Sequence, residues 1–158
     1  MPRSHHLHGH AEFAARRRLK ILLIDDNESD ASLVEQTFAA LRLHHDLQMI
    51  KDSEQALAFL NSAEPADLPD LMLVDMHMPK RDGIEVLSAI RSNPKLRAIP
   101  VILWTSSHDA EDAYHAYECG ANAFLRKPER DFTDLIGDLD RFWFRRAELP
   151  LKREVGSG

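Results

Sequence analysis

Two adjacent carboxylates, Asp25 and Asp26, follow the apolar residues 21–24 in the segment LLIDDNESD. Like charges repel, so a buried strand gains nothing by ending in both. A second apolar run, residues 71–74, ends in Asp75. Three carboxylates that meet in one place stay ionised only when a cation joins them. Mg²⁺ suits such a place, because it prefers oxygen ligands and is usually held by one or two carboxylates together with phosphate oxygens.

Two further polar residues stand at the ends of apolar runs. Thr105 ends the run of residues 99–104, and Lys127 follows the run of residues 122–126. The lysine supplies a compact positive charge and the threonine supplies a hydroxyl donor. Together with a metal ion and carboxylates, these groups suit a dianionic phosphoryl group. Asp75 is the candidate nucleophile, because an aspartyl-phosphate is a known covalent intermediate and this residue is expected on the central strand.

The composition limits the classes of protein to consider. The chain has 158 residues and is most simply one domain. Its net charge of −6 disfavours a nucleic-acid partner, which calls for a basic patch. The single cysteine fits a reducing compartment, and no apolar run approaches the roughly 20 residues of a membrane-spanning helix. We therefore expect a cytoplasmic protein that binds neither nucleic acid nor membrane.

Short apolar runs alternate with segments of helical period from residue 19 onward. The predicted strands are residues 20–25, 46–50, 71–75, 99–105 and 122–126. The predicted helices are residues 28–43, 53–60, 83–91, 109–119 and about 131–147. Five strand–helix repeats predict an α/β fold with an open parallel sheet covered by helices on both faces. In such sheets ligands bind beyond the carboxyl ends of the strands, where the polar residues named above stand.

Four motifs stand in one order along the chain: LLIDDN, LMLVDMHMPKRDG, VILWTSS and GANAFLRKP. Together they resemble the receiver domains of two-component response regulators, over about residues 19–143. The resemblance implies a flavodoxin-like (CheY-like) doubly wound sheet of five parallel strands in the order 2-1-3-4-5. It also implies phosphorelay signalling, in which Asp75 accepts a phosphoryl group from the phosphohistidine of a sensor histidine kinase.

The resemblance assigns metal-binding roles to four residues. Asp26 binds Mg²⁺ directly and Asp25 does so largely through water. Asp75 is a further ligand, and His77 contributes its backbone carbonyl. Mn²⁺ is a second candidate ion for the same ligands. Because only the carbonyl of His77 is needed, we expect its imidazole to be free at the mouth of the site.

The resemblance also places phosphoryl-binding and switch residues. Thr105 and Lys127 hold phosphoryl oxygens, and Phe124 takes the position of an aromatic switch that responds together with Thr105. The Lys127–Pro128 peptide bond is predicted to be cis. Each role has a plainer alternative: Thr105 suits a strand through its β-propensity, and an aromatic residue in a strand is usually part of the core. Acids such as Asp25 and Asp26 also suit a helix N-terminus.

Within this family the sequence looks most like small stand-alone regulators that are paired with phytochromes. The segments DNESDASLVEQTF and NPKLRAIPV carry this resemblance, with Phe142 and Trp143 in the last helix. It implies a phytochrome-type kinase as the partner. We predict a flexible N-terminal arm over residues 1–18, a receiver domain over 19–147 and a tail over 148–158, with no output domain. Four histidines in the arm could bind metal or belong to a disordered tail.

Three consecutive aromatic residues, 142–144, predict an interface. Successive residues of a helix are about 100° apart, so three rings span some 200°, which is wider than the apolar stripe of a surface helix. At least one ring should therefore be exposed, unless residues 148–155 cover it. We expect a homodimer through the fourth helix, the fifth strand and the fifth helix, with an interface that includes Phe142 or Trp143.

Two other classes of protein compete with a signalling module that catalyses only its own phosphorylation and dephosphorylation. The first is a phosphatase or phosphotransferase of flavodoxin-like fold that turns over an aspartyl-phosphate. Haloacid-dehalogenase-like enzymes place a second acid two residues after the nucleophile, where this chain has His77. The second is a nucleotide-binding flavodoxin relative, which the lack of a GxGxxG or GxxxxGK[ST] motif disfavours.

Overall fold

The structure is a computed structural model that describes residues 18–151. Its strands are β1 Lys20–Ile24, β2 Asp46–Ile50, β3 Leu71–Asp75, β4 Val101–Thr105 and β5 Ala123–Arg126. Its α-helices are α1 Glu28–Ala40, α2 Ser53–Ser62, α3 Gly83–Ser92, α4 Ala110–Glu118 and α5 Thr133–Leu139. A 3₁₀ turn covers Pro65–Asp67, and a π-helical turn, Asp140–Phe144, continues α5.

The predicted arm, residues 1–18 with their histidines, lies outside the described residues except for residue 18. Of the predicted tail, residues 148–151 are described. Within residues 18–151 no helix is both long enough and apolar enough to cross a membrane.

The five strands form one parallel sheet in the order β2-β1-β3-β4-β5, which confirms the predicted fold. Ile24 of β1 pairs with Val74 of β3, and Asp75 pairs with Trp104 of β4. Thr105 pairs with the last residue of β5. The carboxyl ends of these four strands therefore stop at nearly the same level, so the residues that follow them share one edge of the sheet.

Both faces of the sheet are covered by helices. Successive side chains of a strand point to opposite faces. Leu22 and Ile24 pack with residues of α2, α3 and α4, whereas Ile21 and Leu23 pack with residues of α1 and α5. All residues of β3 and β4 are buried. Because both of their faces are covered, these strands appear in the sequence as continuous apolar runs.

Short polar side chains begin four of the five helices. Asn27 accepts a hydrogen bond from the Asp30 N–H of α1, and Asp52 caps α2. Asp82 caps α3 and Asp109 caps α4. Each cap satisfies an N–H of the first turn, so each helix begins at a defined distance from the end of the preceding strand.

Two helices differ from their predicted bounds by three residues or more at one end. The first ends at Ala40 rather than at residue 43, because Arg42 takes a left-handed conformation with a φ of 56°. The last begins at Thr133 and its regular α-helical part ends at Leu139, where the π-helical turn takes over. A π-helical turn leaves no recognisable pattern of apolar residues in the sequence, so the sequence predicts one uninterrupted helix in this region.

Candidate functional site

The two acids after β1 differ in burial. Asp25 is buried, and its Oδ1 accepts a hydrogen bond of 2.9 Å from the backbone N–H of Asn27. Its own N–H donates to the carbonyl of Ile50 in β2. Asp26 is exposed. One carboxylate is therefore fixed inside the crevice and the other faces solvent beside it.

Asp75 occupies the end of the central strand, β3, and is buried. Its Oδ1 accepts a hydrogen bond of 3.3 Å from the backbone N–H of His77, which helps to fix the orientation of the carboxylate. The N-terminus of α3 packs closely on the same strand end. A Cβ on Gly83 would lie 2.5 Å from the Asp75 carbonyl oxygen and 2.7 Å from the Cα of Met76. Only glycine allows this approach, so Gly83 helps to set the loop that follows Asp75.

Asp25, Asp26 and Asp75 form one carboxylate cluster. One oxygen from each lies within 4.8 Å of the others. The Oδ2 of Asp25 is buried, and its partner is the ammonium of Lys127 at 2.8 Å. Three clustered carboxylates carry more negative charge than this one lysine balances, so the cluster fits a hard divalent ion with oxygen ligands. The residues present are therefore suited to Mg²⁺ or Mn²⁺.

Lys127, which follows β5, reaches into this cluster. Its side chain is only 4% exposed, and its Nζ lies 2.8 Å from Asp25 Oδ2 and 3.6 Å from Asp75 Oδ2. Asp30 of α1 is a further partner, with Oδ2 at 2.9 Å. The ammonium also lies 5.1 Å from the centre of the Trp104 ring, within the range of a cation–π interaction. The lysine thus joins Asp25, which follows β1, to Asp30 of α1 and Asp75 of β3.

The carboxylates and the lysine shift one another's pKa values. Burial is the main cause that raises the pKa of Asp75 to about 7, and the negative charge of Asp25 adds to it. Burial also raises the pKa of Asp25, against the opposing effect of Lys127. Burial alone would lower the pKa of Lys127, but Asp25 and Asp30 outweigh it and hold that pKa above its ordinary value. Without a second cation, the carboxyl of Asp75 therefore stays protonated well above the pH at which an ordinary aspartate ionises.

Thr105 is fully buried at the end of β4. Its Oγ1 accepts a hydrogen bond of 3.0 Å from the N–H of Ser107, and its carbonyl accepts one of 2.7 Å from the N–H of Lys127. Phe124 is half-buried on β5, packs against the core on the α2–α4 side, and donates its N–H to the hydroxyl of Tyr117. Thr105 therefore follows Trp104, the residue that pairs with Asp75, whereas Phe124 pairs with Leu103 on the next strand outward.

The imidazole of His77 is not free, and that prediction is wrong. Its Nε2 lies 3.1 Å from Oδ2 of Asp112 in α4, although its side chain is 57% exposed. The two residues are separated by 35 positions in the sequence, and Asp112 is buried. The histidine turns towards this carboxylate because α4 presents it directly beside the loop after β3.

The predicted cis bond before Pro128 is also wrong, because residues 18–151 contain no cis peptide bond. The trans form of an X–Pro bond is favoured by about 0.5–1 kcal/mol. The side chain of Lys127 reaches Asp25 from a trans backbone, so the geometry of the crevice does not require the rarer isomer.

Asp30 is the residue of this site that sequence reasoning missed. It lies in the first turn of α1, where an acid is already favoured by the helix dipole. No helical spacing links it to Asp26, because Asp26 precedes the N-cap residue Asn27. Its contact with Lys127, 97 residues away, depends on the tertiary fold.

Known proteins share both the sequence pattern and the arrangement of elements of this chain. A model of the response regulator receiver domain matches residues 21–139. The response regulator Rcp1 of Synechocystis is 35% identical over 135 residues, which are 82% of this chain and 92% of Rcp1.

Two solved structures are also similar. The phosphorylated cyanobacterial phytochrome response regulator RcpA matches with a TM-score of 0.77 and 32% identity, covering 85% of this chain and 100% of the RcpA chain. The Mn²⁺-bound form of Rcp1 matches with a TM-score of 0.75 and 33% identity, covering 84% of this chain and 99% of that chain.

Proposed function

The chain belongs to the family of response regulator receiver domains, and we propose that Asp75 accepts a phosphoryl group from the phosphohistidine of a sensor histidine kinase. The chain is homologous to phytochrome-associated regulators. The observation that carries the choice of Asp75 is its position. It is buried at the end of the central strand, in one cluster with the carboxylates of Asp25 and Asp26, and its Oδ2 lies 3.6 Å from the ammonium of Lys127.

The transfer uses the chain's own groups in defined roles. An oxygen of the Asp75 carboxylate forms the new bond to phosphorus, while the bond between phosphorus and the histidine nitrogen breaks and the imidazole leaves with its electron pair. Lys127 donates hydrogen bonds to a phosphoryl oxygen from the far side of the crevice, and Thr105 donates its hydroxyl to another. The nucleophile must be ionised, and a nearby cation lowers its pKa from the value of about 7.

We assign Asp25, Asp26, Asp75 and the carbonyl of His77 as the residues that hold Mg²⁺, with Mn²⁺ as an alternative ion. The three side chains supply the clustered carboxylate oxygens. When bound, the ion neutralises negative charge that accumulates on the phosphoryl oxygens. The similar protein Rcp1 has been solved in a Mn²⁺-bound form, which supports a divalent ion for the present chain.

Thr105 and Phe124 are proposed as the switch. Added charge on Asp75 draws the Thr105 hydroxyl inward, which frees space for the half-buried Phe124 ring to move towards the core. Arg126, whose guanidinium lies 5.9 Å from the centre of that ring and donates to the Ser107 carbonyl, is positioned to follow the movement. The kinase is proposed to be of the phytochrome type, and both proteins to act in the cytoplasm.

The test of this function is incubation with acetyl phosphate, with and without Mg²⁺, followed by intact mass spectrometry. A lasting adduct of one phosphate that requires Mg²⁺ is expected. Rapid release of inorganic phosphate without an adduct would instead support the alternative of a phosphatase or phosphotransferase. No adduct and no turnover would refute both.

We predict that His77→Ala leaves the Mg²⁺ affinity within about threefold, or roughly 0.7 kcal/mol, because only the backbone carbonyl serves the ion. The phosphoryl lifetime should change, since the imidazole lies beside the loop that follows Asp75 and is bound to Asp112. Titrations with Mg²⁺ and Mn²⁺ check the affinity. His115→Ala, which alters an exposed histidine of α4, is the control for the lifetime. A loss of Mg²⁺ affinity of about tenfold or more would place the His77 side chain among the ligands.

The aromatic residues of the last helix support a proposed homodimer. Phe142 is 52% exposed, Trp143 is half-buried and Phe144 is buried. This agrees with the expectation that at least one of the three rings is exposed. Phe142 and Trp143 line a groove of about 410 Å³ that also includes Leu125, Leu135 and Leu139. We propose that α4, β5 and α5 form the dimer face, with this groove at its centre, and that phosphorylation biases the pairing.

We predict that Phe142→Gln raises the dimer dissociation constant about tenfold, which corresponds to about 1.4 kcal/mol, because aromatic side chains at an interface centre carry much of its binding energy. Sedimentation velocity over a range of concentrations measures the constant. Met49→Gln is the control, since Met49 is 37% exposed on the opposite edge strand, β2. A parent protein that stays monomeric at high concentration, with and without phosphate, would contradict the proposed dimer.

A further inference from the structure

Asp30 binds the ammonium of Lys127 but stands outside the carboxylate cluster suited to a metal. Its Oδ2 lies 2.9 Å from Nζ, and its side chain is 20% exposed. Among the described residues, the cluster whose oxygens lie within 4.8 Å of one another consists of Asp25, Asp26 and Asp75. Asp30 is therefore a partner of the lysine alone.

Lys127 and a metal ion need the same carboxylate. The ammonium lies 2.8 Å from Asp25 Oδ2, and Asp25 is also one of the three clustered carboxylates that are suited to a divalent cation. A cation that draws this oxygen away leaves the ammonium with one partner fewer. The lysine side chain is only 4% exposed, so water cannot readily replace that partner.

Asp30 gives the ammonium a partner for which the metal ion does not compete. A lysine ammonium has three donors, and here they face Asp25, Asp30 and Asp75. Two of these three acids belong to the metal cluster, so only Asp30 remains wholly available to the ammonium. Asp30 is held in place by the first turn of α1, where its N–H donates to the Asn27 side chain.

We propose that Asp30 is a positioning residue that keeps Lys127 paired when Asp25 serves a divalent cation, and that it thereby sets the metal affinity of the site. This inference rests on the proposed function in one respect, the divalent ion at the carboxylate cluster. The proposal predicts the direction in which the metal affinity changes. Removing the charge of Asp30 leaves the ammonium dependent on Asp25, so the lysine competes more strongly against the ion.

The experiment is a Mg²⁺ titration of the full chain, followed by the fluorescence of Trp104, whose ring lies 5.1 Å from the lysine Nζ. Trp143→Phe serves as the common background, so that Trp104 is the sole tryptophan. Asp30→Asn, which keeps the shape of the side chain, is expected to weaken Mg²⁺ binding about tenfold, as for the loss of one hydrogen bond to a charged group. Asp30→Glu is expected to recover most of the affinity.

Glu28→Gln is the matched control. Glu28 is an acid of the same first helical turn, and it pairs with Lys51 on the surface rather than with Lys127. This variant should change Mg²⁺ affinity by less than about twofold, since exposed pairs contribute little. The effect of Asp30→Asn should also persist in about 0.5 M KCl, because salt screens exposed charges strongly but screens buried pairs much less. A purely long-range charge effect would appear in both variants and would shrink with salt.

A kinetic measurement separates positioning from damage to the site. At saturating Mg²⁺, labelling of Asp30→Asn by acetyl phosphate should return to within about threefold of the parent rate, because a weakened affinity is overcome by concentration. Unchanged or tighter Mg²⁺ binding in Asp30→Asn, or equal losses in Asp30→Asn and Glu28→Gln, would overturn the inference while the proposed function stands. A parent protein that binds no Mg²⁺ would overturn both.

Discussion

Asp75→Asn protein incubated with acetyl phosphate and Mg²⁺ is expected to gain no phosphate. The amide fills the same space as the carboxylate but cannot form an acyl phosphate, so the loss should be complete rather than partial. Intact mass spectrometry under conditions that label the parent checks this result.

The fold of Asp75→Asn should remain intact, and its stability has a defined pH dependence. The pKa of Asp75 is about 7 in the folded protein and near 3.8 in the unfolded chain. At a pH between these two pKa values, the folded state binds more protons than the unfolded chain. The contribution of Asp75 to stability therefore falls as the pH rises from about 4 to about 7. The amide does not titrate, so at about pH 8 without Mg²⁺ the variant should melt no lower than the parent.

Asp70→Asn is the matched control for the labelling experiment. Asp70 immediately precedes β3 and is buried to the same extent as Asp75, at 6% exposure, but stands at the opposite end of the strand. This variant should be labelled like the parent. Labelled Asp75→Asn protein would mean that the nucleophile lies elsewhere.

Lys127→Met is expected to lower the free energy of unfolding by about 3–5 kcal/mol near pH 7.5 without a divalent ion, because removing one partner of a buried ionic group leaves the others uncompensated. Here Asp25 and Asp75 are both buried beside the lysine. Methionine is chosen because it retains much of the apolar stem. Urea unfolding in the presence of a chelator measures the change.

The loss of unfolding free energy in Lys127→Met should also depend on pH. Without the ammonium, the pKa values of Asp25 and Asp75 rise further above their unfolded value of 3.8. The cost is then fully present above the folded pKa values and shrinks as pH falls towards about 4, because the carboxylates take up protons. At about pH 5 the loss should be clearly smaller than at about pH 7.5. An equal loss at both pH values would contradict the electrostatic account.

Lys80→Met is the control for this variant. Lys80 also forms a close ion pair, at 2.7 Å from Asp52, but its side chain is 57% exposed. Exposed pairs contribute little, because water screens them and both side chains lose conformational freedom. This variant should unfold nearly as the parent does at either pH.

Burial explains which parts of the fold the sequence could predict. The strands β3 and β4 are buried on both faces, so their apolar runs marked them, and Asp75 and Thr105 ended these runs visibly. Parallel strands align their carboxyl ends, so the meeting of Asp25, Asp75 and Lys127 followed from topology alone. The order of the strands was implied by the resemblance to receiver domains, and it places Asp75 on the central strand.

Contacts between distant side chains were not predictable. The pairs Asp30–Lys127 and His77–Asp112 join residues that are 97 and 35 positions apart. Each depends on a rotamer and on how one helix sits against the sheet, which no periodicity encodes. Acids at the start of α1 and α4 have a sufficient local explanation in the helix dipole, so their types alone did not reveal these contacts.

If Asp75 carries the phosphoryl group, the adduct must be found on this residue. Protein labelled with acetyl phosphate and Mg²⁺ is treated with borohydride, which reduces an aspartyl-phosphate to homoserine, and its peptides are sequenced by mass spectrometry. We predict homoserine at position 75 and unmodified aspartate at Asp25, Asp26 and Asp30. Homoserine at any of these three positions, with intact Asp75, would contradict the account.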